Sequence, residues 1–370
     1  MKPKKKISLP YIFILLCQLP LGLFVGWRIG ILLFRQDIGI IGIYLYLVIG
    51  LLASVLVSTA IHEGGHLVFG LMHHFSFVSY RILSFILHRK DGKLTLGRFS
   101  LSGTLGQCLM RPTAEVTRSD VLWYNMGGAI FNLIEAALSL LILTKGRNVP
   151  AVFIGCVLFY YSVSMALSNG IPLRCTVMTN DGDNALECAK SDECVRAFNR
   201  QMEINRLLSS GRKMADIPGE LLEVDDEAAR GYTLISSLLC YRVDLAMEKG
   251  DHDRALELID RLLEEGAYPL IDSQRYALMN ERDYILLLRG EYVPSEDKTY
   301  RTFRKRMKND PSVIRTDYAL HLSQGDVKAR LEDVERFAKA AAVYPYPALA
   351  RDNSAQMDEA QRILSGTESD

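Results

Sequence analysis

Residues 62–66 read His-Glu-Gly-Gly-His. On a helix this spacing, i and i+4, puts both imidazoles on one face, where they can hold a single zinc ion. Glu63 stands beside them, where a carboxylate can take a proton from a water acidified by zinc. The motif lies at the end of an apolar stretch, and ionisable groups in such a helix are costly enough to point to function. A zinc centre of this kind needs a third protein ligand and one open position for water.

The elements that must position these groups are membrane spans. A bilayer core needs about 20 apolar helical residues. Four stretches qualify, at roughly 10–34, 39–72, 121–144 and 149–171. Backbone polar groups find no water in lipid, so these stretches are expected to be helices. Lys2 and Lys4 to Lys6 assign the N-terminus to the cytoplasm, and Arg81, Arg89, Lys90, Lys93, Arg98, Arg111 and Arg118 do the same for the loop after the second span. Four spans then return the C-terminus to the cytoplasm. His62 and His66 lie towards the inner end of the second span. The fourth span also runs inward and ends near Asn180-Asp181-Gly182-Asp183. Asp181 and Asp183 therefore fall at a suitable depth for a third ligand, although an Asn-Asp-Gly run also makes an ordinary turn.

Composition supports this division. The 370 residues carry no net charge, but those up to Gly182 hold 16 Lys+Arg against 7 Asp+Glu, and the rest hold 27 against 36. An apolar, basic half precedes a charged, acidic one. The seven cysteines are scattered without a C-x-x-C pair, which argues against a disulfide framework. The basic start and the apolar run to Phe34 resemble a signal peptide but exceed an ordinary h-region, so a retained anchor is expected. Between the second and third spans, Phe75–Tyr80 and Lys93–Ser102 alternate around Asp91-Gly92, which predicts a small cytoplasmic β-sheet over 75–112.

The region from 190 onward reads as helices, with apolar residues at helical spacing, as in 255–263. Lys249-Gly250-Asp251, Arg289-Gly290-Glu291 and Gln324-Gly325-Asp326 form similar junctions, their glycines 40 and 35 residues apart. They resemble tetratricopeptide-repeat junctions, which imply stacked helical hairpins and a surface for a protein or peptide partner. The basic run Arg301–Lys308 sits in acidic surroundings and reads as a solvated face, so no nucleic-acid partner is expected.

Taken together, the motifs over about residues 40–190 resemble the site-2 protease family of intramembrane zinc metallopeptidases. His62-Glu63-Gly-Gly-His66 matches the family's first motif and Asp181-Gly182 its second, with Asn169 and Pro172 ahead of it. The resemblance implies zinc held by His62, His66 and Asp181, Asp183 being the competitor for the third place. Gly128-Ala-Ile-Phe-Asn132 is similar to a family Gly-x-x-x-Asn, which implies that Asn132 lies near the active site. Such an amide can donate to a developing oxyanion or to a substrate carbonyl, or it can pack helices together. Ser100–Gly106 resembles the Gly-rich turn that ends the family's sheet-forming segment. Glu135, at i+3 from Asn132, shares its face and has no role implied by the resemblance.

The expected fold is thus a polytopic α-helical membrane protein with four spans and a small β-sheet insertion, followed by an all-α helical-repeat domain. The expected domains are a membrane-embedded metalloprotease over 1–189 and a cytoplasmic helical domain over 190–370. The expected activity is zinc-dependent cleavage of transmembrane segments or signal-peptide remnants, with Glu63 and Asn132 as catalytic residues and the lipid bilayer as surroundings. With no PDZ-like insertion between the second and third spans, the sequence resembles a compact form of the family, which implies a bacterial cell membrane. The alternative is a membrane-anchored helical-repeat adaptor with a structural or inactive metal site. Metal transport would require polar residues along several spans, and the spans hold few.

Overall fold

The computed structural model describes residues 9–34, 39–90, 93–98, 104–146, 148–173 and 179–366. The described residues fall into two compact units, one drawn from Met1–Ile82, Leu105–Arg174 and Thr179–Asp192, the other from Leu83–Thr104, Cys175–Met178 and Glu193–Asp370.

The first unit contains α1 (Leu9–Phe34), α2 (Ile40–Met72), α3 (Arg118–Lys145), α4 (Val149–Gly170) and α5 (Asp181–Lys190). The first four are long and apolar enough to cross a membrane, and they coincide with the four apolar stretches of the sequence. Leu45, Ile49 and Leu52 on α2 and Leu133, Leu138 and Leu141 on α3 stand exposed, as side chains facing lipid would. The basic residues before Leu9, the 35–38 loop, Arg147, Asp91-Gly92 and most of the Ser100–Gly106 turn lie outside the described residues.

Local chemistry sets the helix starts. A reciprocal capping box opens α3: Asp120 N–H donates to the Thr117 hydroxyl, and Thr117 N–H donates to the Asp120 carboxylate. The Asn148 side chain accepts from Ala151 N–H at the start of α4, where Pro150 falls in the first turn. On the other side of the unit, Arg28 of α1 donates to the Leu143 carbonyl, beside a buried cluster of Val25, Leu143, Val152 and Cys156.

Packing between α2 and α3 depends on backbone against backbone. A methyl group placed on Gly127 would lie 2.6 Å from the carbonyl oxygen of Gly65, and one on Gly65 would overlap Gly127 in turn. The helices therefore touch with no side chain between them, the close approach that small residues permit in lipid.

Four strands, β1 (Phe75–Ile82), β2 (Phe85–Lys90), β3 (Lys93–Arg98) and β4 (Gly106–Pro112), form an antiparallel sheet in the order β3-β2-β1-β4. The β2–β3 ladder runs from Phe85 paired with Arg98 to Lys90 paired with Lys93. Between β1 and β4 the register shifts between Phe77 and Ser79, which marks a bulge. Arg81, one of the basic residues that assign this loop to the cytoplasm by charge, is 1% exposed and donates to the Gly106 carbonyl. The carbonyl gives the guanidinium a partner that solvent would otherwise supply.

The helical part of the second unit runs through α6 (Asp192–Ser209), α7 (Asp226–Ala229), α8 (Thr233–Glu248), α9 (His252–Leu263), α10 (Asp272–Leu288), α11 (Lys298–Arg306), α12 (Pro311–Ser323), α13 (Val327–Ala341) and α14 (Pro347–Leu364). The three sequence junctions share one geometry. Gly250, Gly290 and Gly325 adopt φ of 69°, 69° and 71°, a conformation open to glycine at little cost. At each, the next residue's N–H bonds back five residues: Asp251 to Ala246, Glu291 to Leu286 and Asp326 to His321. This is the Schellman closure of a helix. Asp251 and Asp326 then cap the following helices, making the hairpins α8–α9 and α12–α13. At the middle junction no helix follows until Lys298, where Asp297 caps α11. The 40-residue spacing lies before that junction, between Gly250 and Gly290, where α9, the 264–271 connection and the 17-residue α10 intervene.

Candidate metal centre

His62 and His66 face inward from α2, at 5% and 6% exposure. Their Nε2 atoms lie 3.2 Å apart. Asp181, the first residue of α5, brings Oδ2 to 3.2 Å from His62 Nε2 and 3.4 Å from His66 Nε2. Among the described residues this is the set of His, Cys, Asp or Glu whose ligand atoms converge, all three within 4.8 Å of one another.

The bonds behind the ligands fix their state. His66 Nδ1 lies 2.8 Å from the Tyr124 carbonyl, which can only accept, so this nitrogen carries the proton. Asn132 donates from Nδ2 to the Ser58 carbonyl and to Glu135 Oε2, which orients its amide and turns Oδ1 towards His62 Nδ1 at 2.8 Å. His62 Nδ1 is therefore a donor as well. Both Nε2 lone pairs are left facing Asp181, as metal ligation requires. Asp181 Oδ2 is buried without a hydrogen-bond partner. Two neutral-ligand nitrogens and an orphaned carboxylate oxygen make a donor set that could hold a metal ion.

Asp181 owes its place to its neighbour. Asn180 caps α5 by accepting from Asp183 N–H. The same side chain accepts from Leu173 N–H and donates to the Ser168 and Ile171 carbonyls. One amide thus ties the end of α4 to the start of α5. Asp183 is buried in that first turn but is not in the converging set. Asn169 donates to the Met165 carbonyl of its own helix.

Glu63 lies within electrostatic reach of His66, His62 and Asp181, and its carboxylate accepts from Cys108 N–H of β4. The Cys108 carbonyl accepts from the Tyr124 hydroxyl at 3.0 Å. One peptide unit of the sheet thus links the candidate base to α3. Gly128 faces the ligands from α3: a methyl there would lie 2.5 Å from His62 Cε1 and 2.7 Å from His66 Nε2.

Glu135, without a role in the sequence, completes a buried chain, accepting from Ser58 Oγ at 2.8 Å and from Asn132. Asn132, expected near the active site, stands behind a ligand, with its donors already engaged by Ser58 and Glu135. Ser58 carried a legible signal, since it sits one helical turn before His62. Tyr124 and Cys108 act through backbone groups, which residue type does not reveal. No family model, curated protein or solved structure matches the chain.

Proposed function

We propose that the chain is a zinc-dependent endopeptidase that cuts membrane-spanning segments or signal-peptide remnants of membrane proteins. The observation that carries this reading is Glu63 beside the converging His62, His66 and Asp181 atoms. A purely structural zinc site has no need of that carboxylate.

In this reading His62, His66 and Asp181 hold zinc. Zinc supplies Lewis acidity and brings the pKa of a water to near 7. Glu63 takes the proton of the attacking water and returns it to the departing amine. The Cys108 N–H holds Glu63 towards the ligands, and Asn132 keeps His62 in the tautomer that ligates. A helical substrate hides its amides in its own hydrogen bonds and must unwind to be cut. An edge of the sheet would offer backbone groups to such an unwound segment by strand addition. Cleavage that survives deletion of the sheet's edge would remove that last element of the proposal.

The basic residues give both termini a cytoplasmic side in this reading, and the family resemblance gives a bacterial cell membrane. The helical unit would then meet a protein or peptide partner in the cytoplasm.

The decisive experiment measures zinc in the detergent-purified protein and in His62→Ala and Asp181→Ala. About one zinc per chain, lost in both variants, supports the ligand set. Zinc kept in Asp181→Ala would move the third ligand elsewhere. Cleavage of a membrane-spanning peptide by wild type and not by Glu63→Gln supports the enzyme. A cellular function that persists in Glu63→Gln would support an adaptor.

A further inference from the structure

The helical half of the chain holds a cavity of about 270 Å³. Asp244 of α8, Glu281 of α10, Asp310 at the start of α12 and Asp352 of α14 line it, against a single cation among the described lining residues, Arg315. That cation is already committed. Its guanidinium pairs with Glu281 at 2.9 Å, donates to Gln356 and Thr316, and lies 4.1 Å from the Tyr284 ring centroid. Three formal negative charges remain without a matching positive one.

The carboxylates differ in what they already hold. Asp310 caps α12 by accepting from Ser312, and Asp352 accepts from Gln356. Asp244 has no hydrogen-bond partner among the described residues. Asn280, also in the lining, is 1% exposed, and its Oδ1 accepts no hydrogen bond although its Nδ2 donates to the Ser312 carbonyl. A buried acceptor left open costs free energy unless something donates to it.

The geometry selects the kind of donor. Converging sets of three ligand atoms within 4.8 Å were found among the described residues only at His62, His66 and Asp181. The cavity carboxylates are spread more widely, which disfavours a single metal ion and suits a cation with several N–H groups. Met247, Phe303 and Leu349 supply apolar wall for a hydrocarbon stem. The volume suits one side chain or one small amine rather than a large cofactor.

We propose that this cavity binds an organic cation, a guanidinium or primary ammonium on an apolar stem, supplied by a peptide side chain or by a free small amine. The site is separate from the metal centre, and its test does not depend on proteolysis.

The test is calorimetric titration of the full chain in detergent with agmatine, with an acetylated pentapeptide carrying a central arginine, and with the same peptide carrying citrulline. Saturable binding of either cation is expected, at least tenfold weaker in Asp244→Asn and in Asp352→Asn, with no binding of the citrulline peptide. Agmatine binding as tightly as the peptide identifies a free amine as the ligand; binding of the peptide alone identifies a partner's side chain. Equal binding of the citrulline peptide, or no saturable binding of either cation, overturns the proposal on wild-type protein alone. Unchanged affinity in both folded variants also overturns it.

Discussion

Asn132 Oδ1 accepts from His62 Nδ1 at 2.8 Å, and this bond leaves Nε2 as the nitrogen that faces Asp181. Outer contacts of this sort are worth about 10- to 100-fold in metal affinity. Asn132→Ala is therefore expected to weaken zinc binding by about tenfold or more, read by competition with a chromogenic chelator. Glu135→Leu should shift affinity in the same direction, since Glu135 and Ser58 hold the amide. Cobalt in place of zinc gives a second reading, because its visible spectrum reports ligand geometry. An Asn132→Ala protein with wild-type affinity and spectrum would refute the positioning role.

Glu63→Gln keeps the size of the side chain and removes the proposed base. Zinc content should remain at the wild-type level, while cleavage of a membrane-spanning peptide falls by about 10²- to 10⁴-fold. If the variant cuts normally, proton transfer belongs to another group.

Gly128→Ala adds one methyl at 2.5 Å from His62 Cε1. The ligands must then move, so zinc binding should fall steeply while helix content by circular dichroism stays the same. Gly127→Ala has a different target, the carbonyl of Gly65 on α2. It should lower the thermal midpoint of the membrane unit through separation of α2 from α3. Normal zinc content in Gly128→Ala would mean that α3 does not press on the ligands.

Burial, with Glu281 and Asp352 close by, pushes the Asp244 carboxyl up to about 7, and Arg315 opposes this only in part. The folded unit thus holds a proton that the unfolded chain releases near 3.8. Stability of the helical unit should fall as pH rises through the window from about 4 to 7, then level off. Asp352, pushed up to about 6, adds to the same slope. Asp244→Asn should flatten the slope and raise the thermal midpoint at pH 8 by a few degrees, roughly what 1 kcal/mol gives in a domain of this size. A steeper slope in the variant would contradict this assignment.

Much of this was legible in the sequence, for identifiable reasons. His62 and His66 are four residues apart on one helix, so their shared face follows from helical period alone. The spans announce themselves by length and apolarity. Gly250, Gly290 and Gly325 mark helix ends because a left-handed residue is needed there. Other parts required the fold. Asp181 and Asp183 are equivalent by type, and only the Asn180 cap, which ties α5 to the end of α4, distinguishes their positions. The Cys108 peptide reaches Glu63 because β4 pairs with β1 about 30 residues away in sequence, a non-local contact with no local signature. The cavity of the helical half is lined from five helices, α8, α10, α11, α12 and α14, and none of them alone carries its charge pattern.

Asp181 sits at the start of a short helix, whereas His62 and His66 sit in the last third of a long packed one. An ion held by all three would close a loop of about 115 residues, from His66 to Asp181. The two ends of that clasp are unequal. Helix α2 packs along α3 over much of its length, while α5 is ten residues long, rests a buried face on α3 and is joined to α4 by the Asn180 tie. Chelation should therefore be felt on one side first, as faster amide exchange over residues 179–192 while the exchange of α2 barely changes. That asymmetry would make α5, rather than α2, the side of the centre that answers to loss of the ion.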